Sequence, residues 1–306
     1  GNNNMKRNPS IELSRLLACL IVIGVHTSLS ATITEHSWDA SRLFFNCLLA
    51  DGVAIFFMIT GAFLFNNNYD KLLRKTFIHI IIPLVIFSVI GFYFFDWLFD
   101  QQPLSLHIAT SKYIDIFKTL LSWQNPISHS VHLWYLYVYI LVILIYPLLK
   151  AFVEYLDADT KRTKIFLIGT FVFLVINDIS SNSLAAFSHH SINALVPASI
   201  EIIWGHIIYK YRQTFIQKFT IPVSIFSFFF LNYLRSLIQL HRYSLETPNN
   251  YILFWYSSIG ILCASAIIIF CCSVIKTSIP SNRLQKFICW LASYTFPVYL
   301  IHIPVR

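Results

Sequence analysis

Long apolar runs alternate with short polar stretches from one end of this chain to the other. A helix that crosses a bilayer needs about 20 mostly apolar residues, within a range of roughly 17–25. On that measure the pattern predicts nine spans, at 11–30, 45–66, 77–97, 131–150, 165–178, 193–210, 219–238, 251–275 and 287–303. The fifth and sixth are short or interrupted. The expected fold is all-α, a polytopic transmembrane helical bundle.

The polar stretches orient the bundle. Lys6 and Arg7 precede the first span, and Lys71, Arg74 and Lys75 follow the second. Lys150, Lys161, Arg162 and Lys164 follow the fourth. Lys210, Arg212 and Lys218 follow the sixth, and Lys276, Arg283 and Lys286 the eighth. These alternate loops share one side, which the positive-inside rule makes cytoplasmic, with the N-terminus on that side. The opposite loops carry only Arg42, Lys112, Lys118, Arg235 and Arg242. The 98–130 segment is the largest outer loop. Within it Ile114, Phe117, Leu120 and Leu121 share one helical face, which suits an interfacial helix or a loop helix packed on the bundle equally well.

Composition agrees with the pattern. The chain is 57% hydrophobic and only 12% charged, where soluble domains carry about 25% charged residues. Its mean hydropathy is +0.65. A single integral membrane domain over 5–306 is expected, with Gly1–Asn4 ahead of Met5 read as an expression remnant. The first apolar run is too long for a signal-peptide core and has no small-residue cleavage site after it, so it reads as a retained span. The net charge of +8 is spread over the short loops, as a membrane protein's is, and nucleic-acid binding is not expected. Cys19, Cys47, Cys263, Cys271, Cys272 and Cys289 all lie in apolar runs without metal-site or disulfide spacing, so they read as packing residues, and no metal is expected.

Candidate chemistry starts with IELSRLLACLIVIGVHTS, which holds Arg15 and His26 in one span. Hydrocarbon solvates neither side chain well, so ionisable groups there point to function. Eleven steps of helix cover about 16 Å and three turns, which turns both side chains to similar sides. His26 suits a general base, or a buried His satisfied by Thr27 or Ser28. Arg15 offers a planar fork for phosphate or carboxylate, or snorkels at the cytoplasmic edge against Glu12. The basic loop KLLRKTFIHIIIP, with Arg74, Lys75, His79 and Pro83, is a topology signal and also a place for an anionic ligand. Asp51 opens the second span, and Glu201 and His206 lie in the sixth. His132, Trp134 and Tyr135 open the fourth span, where an aromatic belt explains the Trp and Tyr without function. Tyr299 and His302 close the ninth.

These segments together resemble the acyltransferase-3 family of bacterial integral membrane acyltransferases. The family's Arg–ten residues–His signature is carried by Arg15 and His26. Its FF–two hydrophobics–Ser–Gly segment is matched by Phe56, Phe57, Met58, Ile59, Thr60 and Gly61, with Thr60 where Ser is usual. The HLWYL segment with Trp134 and the VYLIH segment ending at His302 follow in the family's order. Two departures stand out. Where the family often has two Arg three residues apart after the second span, this chain offers Lys71 and Arg74. The family usually has about ten spans, and this chain stops after the ninth, either cut short or lacking the closing helix. It also lacks the esterase-like domain fused to some members.

The resemblance implies a multi-pass O-acyltransferase of the bacterial inner membrane. It would take an acyl group, acetyl by default, from cytoplasmic acyl-CoA to a hydroxyl of an envelope glycan or lipid-linked sugar. His26 and Arg15 would be catalytic, with His26 as general base or transient acyl carrier. Arg15, Arg74, Lys75 and His79 would hold the donor's phosphates. Asp51, His132, Trp134, Tyr299 and His302, toward the outer ends of their spans, would contact the acceptor. The alternative is a transporter, flippase or uptake module without acyl transfer, although no broken helices occur in matching halves.

Overall fold

The computed structural model describes residues 7–26, 40–86, 134–179, 194–217, 219–244 and 256–301, and these are helical with no strand among them. The expected 98–130 segment, Thr27, Ser28, His132 and His302 lie outside the described residues.

Helix α1 spans Pro9–Val25. Asn8 caps it, its side chain accepting from the Ser10 N–H at 3.1 Å, and Pro9 fits the first turn, where an N–H has no partner anyway. Asn8 Nδ2 also donates to the Tyr209 hydroxyl at 2.7 Å. Helices α2 (Ala40–Leu48) and α3 (Gly52–Leu64) follow, together forming a 22-residue apolar stretch from Leu43 to Leu64. Then comes α4, Tyr69–Thr76, capped by Asn68. It runs without a break into a π turn, Phe77–Ile81, in which the Ile82 N–H reaches back to the Phe77 carbonyl.

The expected fourth span is two helices. Helix α5 (Trp134–Leu144) and helix α6 (Tyr146–Asp157) meet at a 69° bend. Pro147 lies in the first turn of α6 and cannot donate back to α5, so the helix breaks. Nearby hydroxyls hold the break: Tyr69 donates to the Leu144 carbonyl at 3.2 Å, and Tyr146 to the Asn67 carbonyl at 2.6 Å.

Helix α7 is Thr160–Ile179, α8 is Leu195–Lys210, α9 is Thr220–Ser244 and α10 is Ser258–Val274. Asp178 near the end of α7 accepts from both the N–H and the hydroxyl of Ser258, fixing where α10 begins. Asp157 joins α6 to α8, with His206 Nε2 at 3.0 Å and Lys210 Nζ at 2.9 Å. The expected ninth span also divides, into α11 (Arg283–Ala292) and α12 (Thr295–Ile301), with Ser293 capping the first. Among the described residues, Leu43–Leu64 and Thr220–His241 are each long and apolar enough to cross a membrane, and the bent α5–α6 pair makes a third if it is one span.

The core gathers around α3 and α8. These helices cross with their backbones in contact, because a Cβ on Gly61 would overlap the Ile202 carbonyl and one on Gly205 the Met58 backbone. Small residues permit this approach where lipid supplies no hydrophobic drive between helices. Helix α1 packs on α3 in the same manner, with Gly52 seated against Val22 and Ala18.

Helix α9 is polarised in reverse. Phe226, Phe229, Phe230 and Tyr233 are exposed, while Asn232, Arg235, Ser236 and Gln239 are buried on one stripe. Arg235 is therefore not an outer-loop residue. It is fully buried inside α9 and forms a two-point ion pair with Asp51 at the start of α3. All six cysteines are buried and free.

Candidate active site

The N-terminal part of α1 carries the first half of the site. Glu12 is 5% exposed and sits between two guanidiniums, with Arg15 Nη1 at 3.1 Å and Arg7 Nη1 at 3.7 Å. Arg7 also donates to the Cys289 carbonyl of α11 at 3.3 Å. One carboxylate thus positions two cations, which still leaves net positive charge at this end. Arg15 does pair with Glu12, and its side chain remains 30% exposed and faces a cavity.

That cavity has two lobes. The first, about 280 Å³, runs from Arg7, Arg15 and Ser293 past Thr60, Tyr139 and Phe296 to Phe56, Tyr135 and Tyr299. The second, about 390 Å³, lies between Arg15, Thr60 and Tyr139 on one side and Lys75, Thr76 and His79 on the other. Arg15, Ile59, Thr60, Ile80 and Tyr139 line both lobes and form the neck between them.

Local structure explains which side chains reach it. Lys75 and His79 are four residues apart across the junction of α4 and the π turn, so both face the second lobe. Single π turns of this kind recur at functional sites. Arg74, one residue earlier, is exposed and lines neither lobe. Arg7 lines the first lobe. On α5, Tyr135 and Tyr139 share a face four residues apart. The Thr60 hydroxyl donates to the Phe56 carbonyl at 2.9 Å, which fixes its rotamer at the neck.

The other candidates divide. Tyr299, 9% exposed, lines the first lobe, edge-on to Tyr135 with ring centroids 6.0 Å apart. It shares that lobe with Arg15. Trp134 begins α5 and packs on the main core. Asp51 is 1% exposed and held by Arg235, so it offers no carboxylate to an acceptor. His26 caps the C-terminus of α1, its backbone N–H bonded to the Ile23 carbonyl and its side chain exposed. It does not line either lobe. Among the described residues Arg15 and His26 do not line one common cavity, and a cluster of Val22, Leu84, Leu136, Tyr137 and Tyr299 borders the first lobe. Glu201 is 1% exposed, and neither of its oxygens has a hydrogen-bond partner among the described residues.

Sequence reasoning missed Arg7 and Tyr139. The spacing of Tyr139 from Tyr135 was the available signal for one. Arg7 had been absorbed into the orientation count.

The described residues form an apolar helical bundle with a cavity lined in part by the basic side chains Arg7, Arg15, Lys75 and His79. The family model described as an acyltransferase domain matches residues 8–306. The chain belongs to the acyltransferase-3 family and is an acyltransferase. Comparison with curated proteins and with solved structures gives no match.

Proposed function

We propose that this protein is an O-acyltransferase of the bacterial inner membrane, moving an acyl group from cytoplasmic acyl-CoA to a hydroxyl of an envelope glycan or lipid-linked sugar. What carries the proposal is the two-lobed cavity with four basic side chains at its rim. CoA presents separated phosphate groups on one end and a thioester on a slender arm at the other. Arg7 and Arg15 in one lobe, and Lys75 and His79 in the next, suit the phosphates through charge-assisted hydrogen bonds. The arm would then extend along Thr60 and Tyr139. In this reading the nine spans keep their N-terminus in the cytoplasm, and the basic rim is the cytoplasmic mouth.

His26 lies eleven residues beyond Arg15, about 16 Å further along the helix. Its imidazole takes the proton of the acceptor hydroxyl as that oxygen attacks the thioester carbonyl. The C–S bond breaks, the ester forms, and the CoA thiolate leaves to be protonated. If His26 instead carries the acyl group, its imidazole nitrogen first attacks the thioester carbonyl and expels the CoA thiolate. The acceptor hydroxyl then attacks the acyl-imidazole, the C–N bond breaking as the ester forms and the hydroxyl proton passing to the imidazole. Trp134 at the start of α5, with His132 and His302, belongs on the acceptor side.

The test is direct. Purified protein in lipid, given acetyl-CoA labelled in the acetyl group and an envelope extract, should release CoA and label a glycan or lipid-linked sugar. Mass spectrometry of surface glycans with and without the protein should then give the acyl increment and the acceptor together. Labelled solute crossing the membrane with no thioester turnover would favour the transport alternative.

A further inference from the structure

Helix directions order the first lobe by depth. Helix α1 and helix α3 run antiparallel, since Gly52 sits against Val22 and Ala18 while Thr60 shares the cavity with Arg15. Phe56 is therefore one turn further from the basic rim than Thr60. On α5, Tyr135 is one turn further than Tyr139, which alone of the two reaches the second lobe. On α12, Tyr299 is one turn beyond Phe296 and Thr295, next to Ser293 at the rim. Three helices thus bring three rings to one level. Phe56 lies 6.0 Å from Tyr135, and Tyr135 lies 6.0 Å from Tyr299, measured between ring centroids.

The layer is backed by packed side chains. Tyr299 belongs to the cluster with Val22, Leu84, Leu136 and Tyr137, and Phe56 and Tyr135 pack against the same cluster. Phe57 adds a fourth ring, 4.6 Å from Tyr135. The lobe that ends here holds about 280 Å³, just below the usual lower bound of about 300 Å³ for small-molecule pockets. Tyr299 is buried and Phe56 and Tyr135 are half-buried against this cluster, so a bulky guest has to push packed side chains off their rotamers.

We infer that Phe56, Tyr135 and Tyr299 form the constriction that limits the donor to a short acyl chain. This rests on the acyl-CoA reading above. A thioester arm entering past Thr60 and Tyr139 meets the layer with its acyl end. A methyl group fits against the rings without displacing them. A chain of six carbons has to displace the layer and the cluster behind it.

The experiment is competition at equilibrium. The full chain in lipid nanodiscs binds labelled acetyl-CoA, and unlabelled CoA, acetyl-CoA, butyryl-CoA and hexanoyl-CoA compete. The wild-type protein should bind hexanoyl-CoA at least about tenfold more weakly than acetyl-CoA, the smaller end of what apolar pockets achieve by size. Tyr299→Ala should remove most of that difference while binding of free CoA is kept. Tyr299→Phe, which keeps the ring, should leave the ratio unchanged. Phe56→Leu is a milder opening from α3 and should narrow the ratio even if Tyr299→Ala fails to fold. An unchanged ratio in Phe56→Leu together with an unchanged or unmeasurable one in Tyr299→Ala overturns the constriction and leaves the acyl-CoA reading standing. Equal wild-type affinity for hexanoyl-CoA and acetyl-CoA overturns it too. Failure of the wild-type protein to bind CoA or any thioester overturns the acyl-CoA reading itself, and the constriction with it.

Discussion

The carboxylate of Asp51 and the guanidinium of Arg235, 184 residues apart in sequence, meet through two hydrogen bonds of 2.9 Å in the fully buried interior. Arg235 also donates to the Cys47 carbonyl at 3.1 Å and to Asn232 Oδ1 at 3.2 Å. Removing one partner strands the other charge away from water, which costs about 3–5 kcal/mol. Asp51→Ala and Arg235→Ala should each lower the unfolding temperature of the detergent-purified protein sharply. Asp51→Leu combined with Arg235→Met should be closer to wild type than either single change, since the neutral pair strands nothing. A double variant as unstable as the sum of the singles would refute this.

Close backbone contact between α3 and α8 makes a second prediction. Gly61→Ala and Gly205→Ala each place a methyl group where the partner backbone lies. Backbone cannot swing aside as a flexible side chain can, so each should cost at least about 2 kcal/mol, toward the upper part of the overpacking range. Gly169→Ala is the contrast, because its Cβ meets nothing within 4 Å. Thermal unfolding of the three variants side by side checks the order.

The basic rim should rank its residues by position rather than by charge. Arg15 lines both lobes, Lys75 and His79 line one, and Arg74 lines neither. Affinity for CoA should therefore fall most in Arg15→Ala, less in Lys75→Ala and His79→Ala, and least in Arg74→Ala. Arg15→Lys should restore only part of the loss, because an ammonium lacks the planar fork. Isothermal titration of the variants would expose a wrong assignment if Arg74→Ala proved the most damaging.

His26 and the rim should separate in kinetics. His26→Ala should cut acyl transfer by at least about 100-fold, the low end for loss of a general base, while CoA affinity stays as it was. Binding and turnover measured on the same sample test both halves. Full transfer activity in His26→Ala would sink its role.

How far the sequence reached differs between elements. The helical class was legible because lipid-facing runs need no partner to declare themselves. The bend at Ile145 and the break at Ser293 were not, because a hydropathy window averages across a break. The first break is tolerated since Tyr69 caps the carbonyl it frees, and that hydroxyl is far away in sequence. Arg15, Tyr299, Lys75 and His79 all line the cavity, the last two read from the sequence as members of a basic loop and brought to one face by their helical spacing. Asp51 looked like an outer-surface acid because its partner, Arg235, had been counted as a loop charge. The stripe Asn232, Arg235, Ser236 and Gln239 was the available clue, as polar residues at helical spacing within an apolar run face inward.

The Asp51–Arg235 pair also bears on how the chain is assembled during synthesis. Asp51 enters the bilayer with the early helices, long before Arg235 is made. Until α9 docks, each charge is without its counterpart, and an unpaired charge within a membrane-spanning stretch is costly. Only the assembled bundle relieves both. A nascent chain stalled before α9 therefore carries Asp51 without its counter-charge, so the two ends of the bundle depend on each other for completion.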